Sequence, residues 1–386
     1  MNKAELFREF LRELLNGLGV RDASVLANID GNLSLEVISG FLHSVNMFLY
    51  QSYETDGMQY LSKYQAFWKE NHSEILGFRI DEERCLRVAS ILEGIFGGGR
   101  RRFAVSADTK GLTANQIANV RFFTIIQDFK IRFRKDPYSI ARQKPDLFDA
   151  RNILDDFPKS VNELLSLLGA DSQTDKRQKF ARLCAELLVE KYRGEAFNLV
   201  ETHDQSAREI ISVLAHHPDP RFSRKLGFSD KKAIILVRDM IDLGVWTIRD
   251  PENLDVPSDS NTMKIALRIG ILRSRIPLLA SYLDVYCYQY GETDRMCRQA
   301  WRRVWERWVE LPNNHRLPFP ASFDYLLFNI GKNWNRPDKM PEVEKFRAIS
   351  DEELSRLNPP KSISIYGKTG WESGRTNDGG GGGIMA

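Results

Sequence analysis

Cysteine is scarce in this 386-residue chain: Cys85, Cys184, Cys287 and Cys297 stand apart, without the paired spacing that a zinc or iron–sulfur site needs. They read as reduced thiols of a cytoplasmic protein, two of them in apolar helical contexts. The six histidines form no ligand pattern either, and His216-His217 before Pro218 reads as a loop pair. No metal and no cofactor are therefore expected. Long apolar runs are also missing. No segment is long enough to span a bilayer, and Met1 to Leu18 is amphipathic and charged throughout, unlike a signal peptide. Charge of one sign is not in excess: 55 Lys and Arg against 52 Asp and Glu leave +3, which permits nucleic-acid binding without demanding it.

What is present is helical periodicity, so the fold class expected is all-α. The spacing predicts helices over Glu5–Leu18, Leu33–Tyr50, Met58–Asn71 and Asp81–Phe96, with no competing strand-length alternation. Gly97-Gly98-Gly99-Arg100-Arg101-Arg102 reads as a boundary loop. Thr113-x-x-Gln116 resembles a capping box opening a long helix from Ala114 to about Arg134. That helix ends in Lys130-Ile131-Arg132-Phe133-Arg134-Lys135, whose arginines suit either a track for a phosphate backbone or a basic C-terminus facing the helix dipole. Pro137 to Pro158 is rich in turn residues. Further helices are expected at Val161–Leu168, Arg177–Tyr192, His203–Leu214, Pro277–Tyr290, Asp294–Trp308 and Phe323–Gly331. The organisation expected is an N-terminal helical region (1–110), a core (111–340) and a polar tail (341–386) carrying Gly379 to Gly383.

The stretch from Leu226 to Gly270 concentrates the chemistry. Ser229 can cap a helix whose apolar face is Ala233, Ile234, Val237, Met240 and Ile241. Lys231 then falls in the first turn, where the positive end of the helix dipole and the neighbouring Lys232 both disfavour the ammonium form. A lysine acting as a nucleophile needs that help. In the second half, Pro257 favours an extended approach, Ser258 or Asp259 can cap, and Gly270 supplies a left-handed stop.

Leu226-Gly227-Phe228-Ser229-Asp230-Lys231-Lys232-Ala233 resembles the hairpin of the helix-hairpin-helix DNA glycosylases (the HhH-GPD superfamily), usually Leu-Pro-Gly-Val-Gly-x-Lys-x-Ala. Val256-Pro257-Ser258-Asp259-Ser260-Asn261 is similar to that superfamily's Val-Pro-Val-Asp-Thr-His segment. Lys231 and Asp259 occupy the positions of its catalytic lysine and carboxylate. The second hairpin glycine is Ser229 here, and the 28-residue separation is nearest to the spacing of the archaeal 8-oxoguanine glycosylase branch. Ser322 to Gly331 is similar to the late helix of such relatives. The resemblance covers roughly residues 205 to 335, and the cysteine loop that some relatives use for an iron–sulfur cluster is not matched.

The resemblance implies a two-lobed helical core and a DNA N-glycosylase with abasic-site lyase activity, acting on double-stranded DNA with a damaged or modified base. Lys231 would be the nucleophile and Asp259 its carboxylate. Gly227, Phe228, Ser229 and Asn261 would contact phosphates, with Arg132 and Arg134 as further DNA-binding candidates. Gln127, Asp128, Asp324, Tyr325 and Phe328 are candidates for the pocket of an extruded base. Two alternatives stand beside this: a non-catalytic DNA-binding module, and a defence protein that removes modified bases from foreign DNA.

Overall fold

The computed structural model describes residues 73, 77–97, 107–129, 133–223, 225–273, 287–313 and 315–350. The helices expected before Asn71, most of the one from Pro277 to Tyr290, the arginines of the Gly97–Arg102 loop, Arg132, and the tail from Asp351 lie outside them.

Thirteen helices and one two-stranded ladder make up the described residues. The chain enters through β1 (Arg79–Ile80) and α1 (Glu82–Phe96), whose first turn is capped by Asp81 accepting from the Arg84 amide. Helix α2 (Ala114–Gln127) opens on the expected capping box of Thr113 and Gln116 and is buried from Ile117 to Gln127 on all but one position. It is shorter than expected. Arg177 donates to the carbonyls of Gln127 and Phe129 at 2.5 and 2.7 Å, taking the acceptors that a continuing helix would have used. The turn-rich Pro137–Pro158 stretch is itself largely helical, holding α3 (Pro137–Gln143), a short 3-10 turn, and α4 (Ala150–Asp155). The prolines sit at helix starts, where a missing N–H costs nothing.

Helices α5 (Lys159–Leu168) and α6 (Thr174–Tyr192) follow. A short α7 (Asn198–Thr202) comes first, and the helix expected over His203–Leu214 begins later, as α8 (Ala207–Ala215). Asp204 and Gln205 adopt positive φ between them, and Ser206 caps the second. Then come α9 (Asp230–Asp242), α10 (Ser260–Arg268), β2 (Leu272–Arg273), α11 (Cys287–Val309), α12 (Asp324–Lys332) and α13 (Glu342–Arg347). The ladder, which period-two alternation could not reveal at two residues a strand, pairs Arg79 with Arg273 and Ile80 with Leu272, antiparallel.

The buried apolar side chains fall into two clusters. The first is built by α2 to α9 around Phe122, Phe123, Leu187, Leu188 and Val237, with Phe319 and Ala321 returning to it from late in the chain. The second joins α1 to α10, α11, α12 and α13 around Trp301, Trp308, Phe323 and Ile265. Each fully buried Leu or Phe contributes about 1.5–3 kcal/mol, several times a typical surface ion pair. Apolar burial therefore fixes the two clusters, and ion pairs link α9 of the first to α10, α11 and α12 of the second. Cys85, Cys184 and Cys297 are buried and free, and the Trp301 and Trp308 rings are core. No helix among the described residues is long and apolar enough to cross a membrane.

Candidate functional site

The approach to α9 is set by Gly227, at φ +80°. A Cβ there would lie 2.7 Å from the Phe180 ring, so both the backbone conformation and the close packing require glycine. Phe228 turns inward and packs on Phe122, ring centroids 5.2 Å apart. Ser229 is extended and its Oγ accepts from the Lys232 amide, the N-cap expected. The amides of Gly227, Phe228 and Ser229 donate to nothing among the described residues. Lys231 follows one residue into the helix.

Asp259 is brought in by the buried Val256, Pro257 and Ser258 and is the N-cap of α10. Its Oδ1 accepts from the Asn261 and Thr262 amides at 2.8 and 2.9 Å, while its own amide donates to Thr262 Oγ1 at 2.7 Å. With Oδ1 committed to the cap, Oδ2 faces Lys231, whose Nζ donates to it at 3.3 Å. The two side chains are 38% and 15% exposed, open enough for a ligand to reach the amine while the carboxylate is sheltered. The pair joins a helix of the first cluster to a helix of the second.

Beside it runs an ionic network not anticipated in the sequence. Arg238, two turns after Lys231 on α9, donates to Asp239 Oδ1 through Nε and Nη2 at 2.9 and 2.8 Å, and through Nη1 to Asp324 Oδ2 at 2.6 Å. Arg121 of α2 pairs with the other oxygen of Asp239. Tyr325 donates its hydroxyl to Asp239 Oδ1 at 3.1 Å, and its ring lies 4.1 Å from the Arg238 guanidinium. Burial disfavours the Arg238 cation, but Asp239 and Asp324 outweigh it and hold its pKa above the usual arginine range. Burial pushes the Asp324 carboxyl up, with Arg238 opposing. The only sequence signal was an Arg-Asp pair inside an apolar helix. A second bridge forms at the start of α9, where Asp230 pairs with the Arg298 guanidinium of α11 at 3.6 Å and lies 2.6 Å from His216 Nε2.

The remaining candidates separate. Asn261 is half-buried in the first turn of α10, pressed against Gly331 of α12, where a Cβ would come within 2.6 Å of the Asn261 Cβ. Gln127 is buried, its Nε2 bonded to the Arg177 carbonyl at 3.3 Å and its Oε1 unpaired among the described residues. Asp128 is exposed at the end of α2. Asp324 and Tyr325 are engaged in the network, and Phe328, 39% exposed, projects from the same helix. Arg134 is exposed and paired with Asp171 at 2.9 Å, away from the Lys231–Asp259 contacts. Lys232, beside the candidate nucleophile, turns the other way. Its Nζ donates to the Ile126 carbonyl at 3.2 Å and lies 5.1 Å from the Phe129 ring, and burial lowers its pKa to about 8.

Among the described residues no group of His, Cys, Asp or Glu is arranged to hold a metal. What the site offers is an amine beside a fixed carboxylate, at the joined starts of two helices. Compared with models of known protein families and with curated proteins, the chain matches none.

Proposed function

We propose that this chain is a DNA N-glycosylase with abasic-site lyase activity, acting on double-stranded DNA that carries a damaged or modified base. The observation that carries the reading is the 3.3 Å approach of Lys231 Nζ to Asp259 Oδ2 from the starts of two helices in different clusters. An amine nucleophile must shed a proton, and a carboxylate at hydrogen-bond distance can take it.

The chemistry follows from those two groups. A target nucleotide is extruded so that its C1′ faces the amine. Loss of the base leaves positive charge on the sugar, which the Asp259 carboxylate stabilises. The Lys231 lone pair forms a bond to C1′ as the bond to the base nitrogen breaks, with the bonding electrons and then a proton going to the base. Ring opening gives an imine. Loss of the C2′ proton then expels the 3′ phosphate, and water hydrolyses the imine to regenerate the amine. The amides of Gly227, Phe228 and Ser229, which donate to nothing among the described residues, suit a phosphate beside the target.

The test is borohydride trapping on an abasic-site duplex. A covalent adduct with the wild type, absent in Lys231→Gln, is the expected result. No adduct with the wild type, or one undiminished in Lys231→Gln, overturns the mechanism, and duplex binding that survives without an adduct points to a binding module instead. A panel of duplexes with oxidised, deaminated, alkylated and hypermodified bases then separates repair from defence.

A further inference from the structure

We propose that Asp324 is a positioning residue that sets the proton affinity of the Lys231–Asp259 pair. Lys231 and Arg238 are seven residues apart, two turns of helix, and so project from the same side of α9. Arg238 holds Asp324 through Nη1 at 2.6 Å, and Asp239, clamped by Arg238, Arg121 and Tyr325, holds Arg238 in turn. The helix that carries Asp324 also packs on the first turn of α10, at the contact of Gly331 with Asn261, two residues from Asp259. The same helix is thus anchored both to the side of α9 that bears the amine and to the helix start that bears the carboxylate.

Asp324 is held by Arg238 two turns along α9 from Lys231, about 10 Å of helix, a range over which charges sheltered from water still act on one another. Three cations, Lys231, Arg238 and Arg121, there meet three carboxylates, Asp259, Asp324 and Asp239. The other charged or titratable groups around the pair are Asp230 and Lys232 on α9, Asp294 and Arg298 on α11, and Tyr325 on α12. An ionised Asp324 adds an attractive charge for the Lys231 ammonium. Without its charge one cation is in excess, and Lys231 loses its proton more readily. An Asp324 held by Arg238 in this way is a charge-setting group and not a reader of the extruded base.

The proposal rests on the reading of Lys231 as the reacting amine for its meaning, but its test needs no DNA. Competitive acetylation of the full chain with acetic anhydride between pH 6 and 11, read by fragment mass spectrometry, gives the midpoint at which Lys231 becomes nucleophilic. In Asp324→Asn that midpoint falls by about half to one pH unit, and in Asp324→Glu it stays with the wild type. An Asp324→Asn curve superimposed on the wild-type curve overturns the proposal. Should Asp324→Asn give no cooperative melt, wild-type protein labelled with carbon-13 at its aspartate carboxyls provides the same information. The Asp324 resonance moves at the pH where Lys231 titrates, and a resonance unmoved there overturns the coupling. Absence of a borohydride adduct would sink the glycosylase reading and leave the labelling result standing. Superimposed labelling curves would sink the coupling with trapping intact.

Discussion

Lys231 and Asp259 touch at 3.3 Å from helices whose apolar faces belong to separate clusters, so the contact reports how the two clusters are docked. A partly exposed pair of this kind contributes no more than about 1 kcal/mol. Lys231→Gln is therefore expected to melt within a few degrees of the wild type while losing all borohydride-trappable adduct. Loss of cooperative unfolding in that variant would mean that the lysine is structural.

Gly227 faces a heavier constraint than either catalytic candidate. Alanine there must adopt φ near +80° and place its Cβ 2.7 Å from Phe180. Gly227→Ala should cost about 2 kcal/mol or more in chemical denaturation. Adding Phe180→Leu should recover part of that, because the ring is one of the two obstacles; no recovery would assign the whole cost to the backbone.

Lys232 titrates near 8 because its ammonium is buried. The unfolded chain keeps that proton up to about pH 10.5. The folded state thus binds fewer protons between about pH 8 and 10.5, and this group's contribution to stability rises with pH across that window and is lost as pH falls through 8. Lys232→Met removes the buried charge but leaves the Ile126 carbonyl without its donor. At pH 7 it should gain on the order of 1 to 2 kcal/mol, a gain that fades toward pH 10. Melting curves at both pH values check this, and an equal gain at both would refute it.

His203 and His217 are both held below the usual histidine value by burial. His203 shares a 2.8 Å hydrogen bond with the Tyr192 hydroxyl, and His217 Nδ1 accepts from the Asp219 amide at 3.0 Å. The unfolded chain takes up protons first, so the stability these residues contribute is present above about pH 6.5 and lost as pH falls below it. Thermal melts should fall from pH 7.5 to pH 5. His203→Asn should flatten that slope, and a slope unchanged in the variant would place the acid sensitivity elsewhere.

Much of the fold was readable because its signals are local. The capping box at Thr113, the cap at Ser229, the left-handed Gly270 and the apolar face of α9 each lie within a few residues of what they determine. The helix starts that hold Lys231 and Asp259 belong to this group. What was hidden depends on distant partners. Helix α2 stops at Gln127 because of an arginine 50 residues away. The charge network needs Arg121, Arg238 and Asp324 to be brought together; in the sequence the two arginines read as ordinary polar residues of amphipathic helices, and Asp324 as a candidate for the base pocket. The close approach of Asn261 to Gly331 likewise joins residues 70 apart in the chain.

The second cluster takes α1 from before the first cluster and α10 to α13 from after it. On the ribosome, α1 emerges without the helix it packs against. At ~5–20 residues per second, α11 follows only after about 10 to 40 s. The middle of the chain can fold in that interval, and residue 259 trails residue 231 by 28 residues, about 1 to 6 s at the same rate. A nascent chain thus carries its amine without the carboxylate beside it until synthesis has entered the final third of the chain.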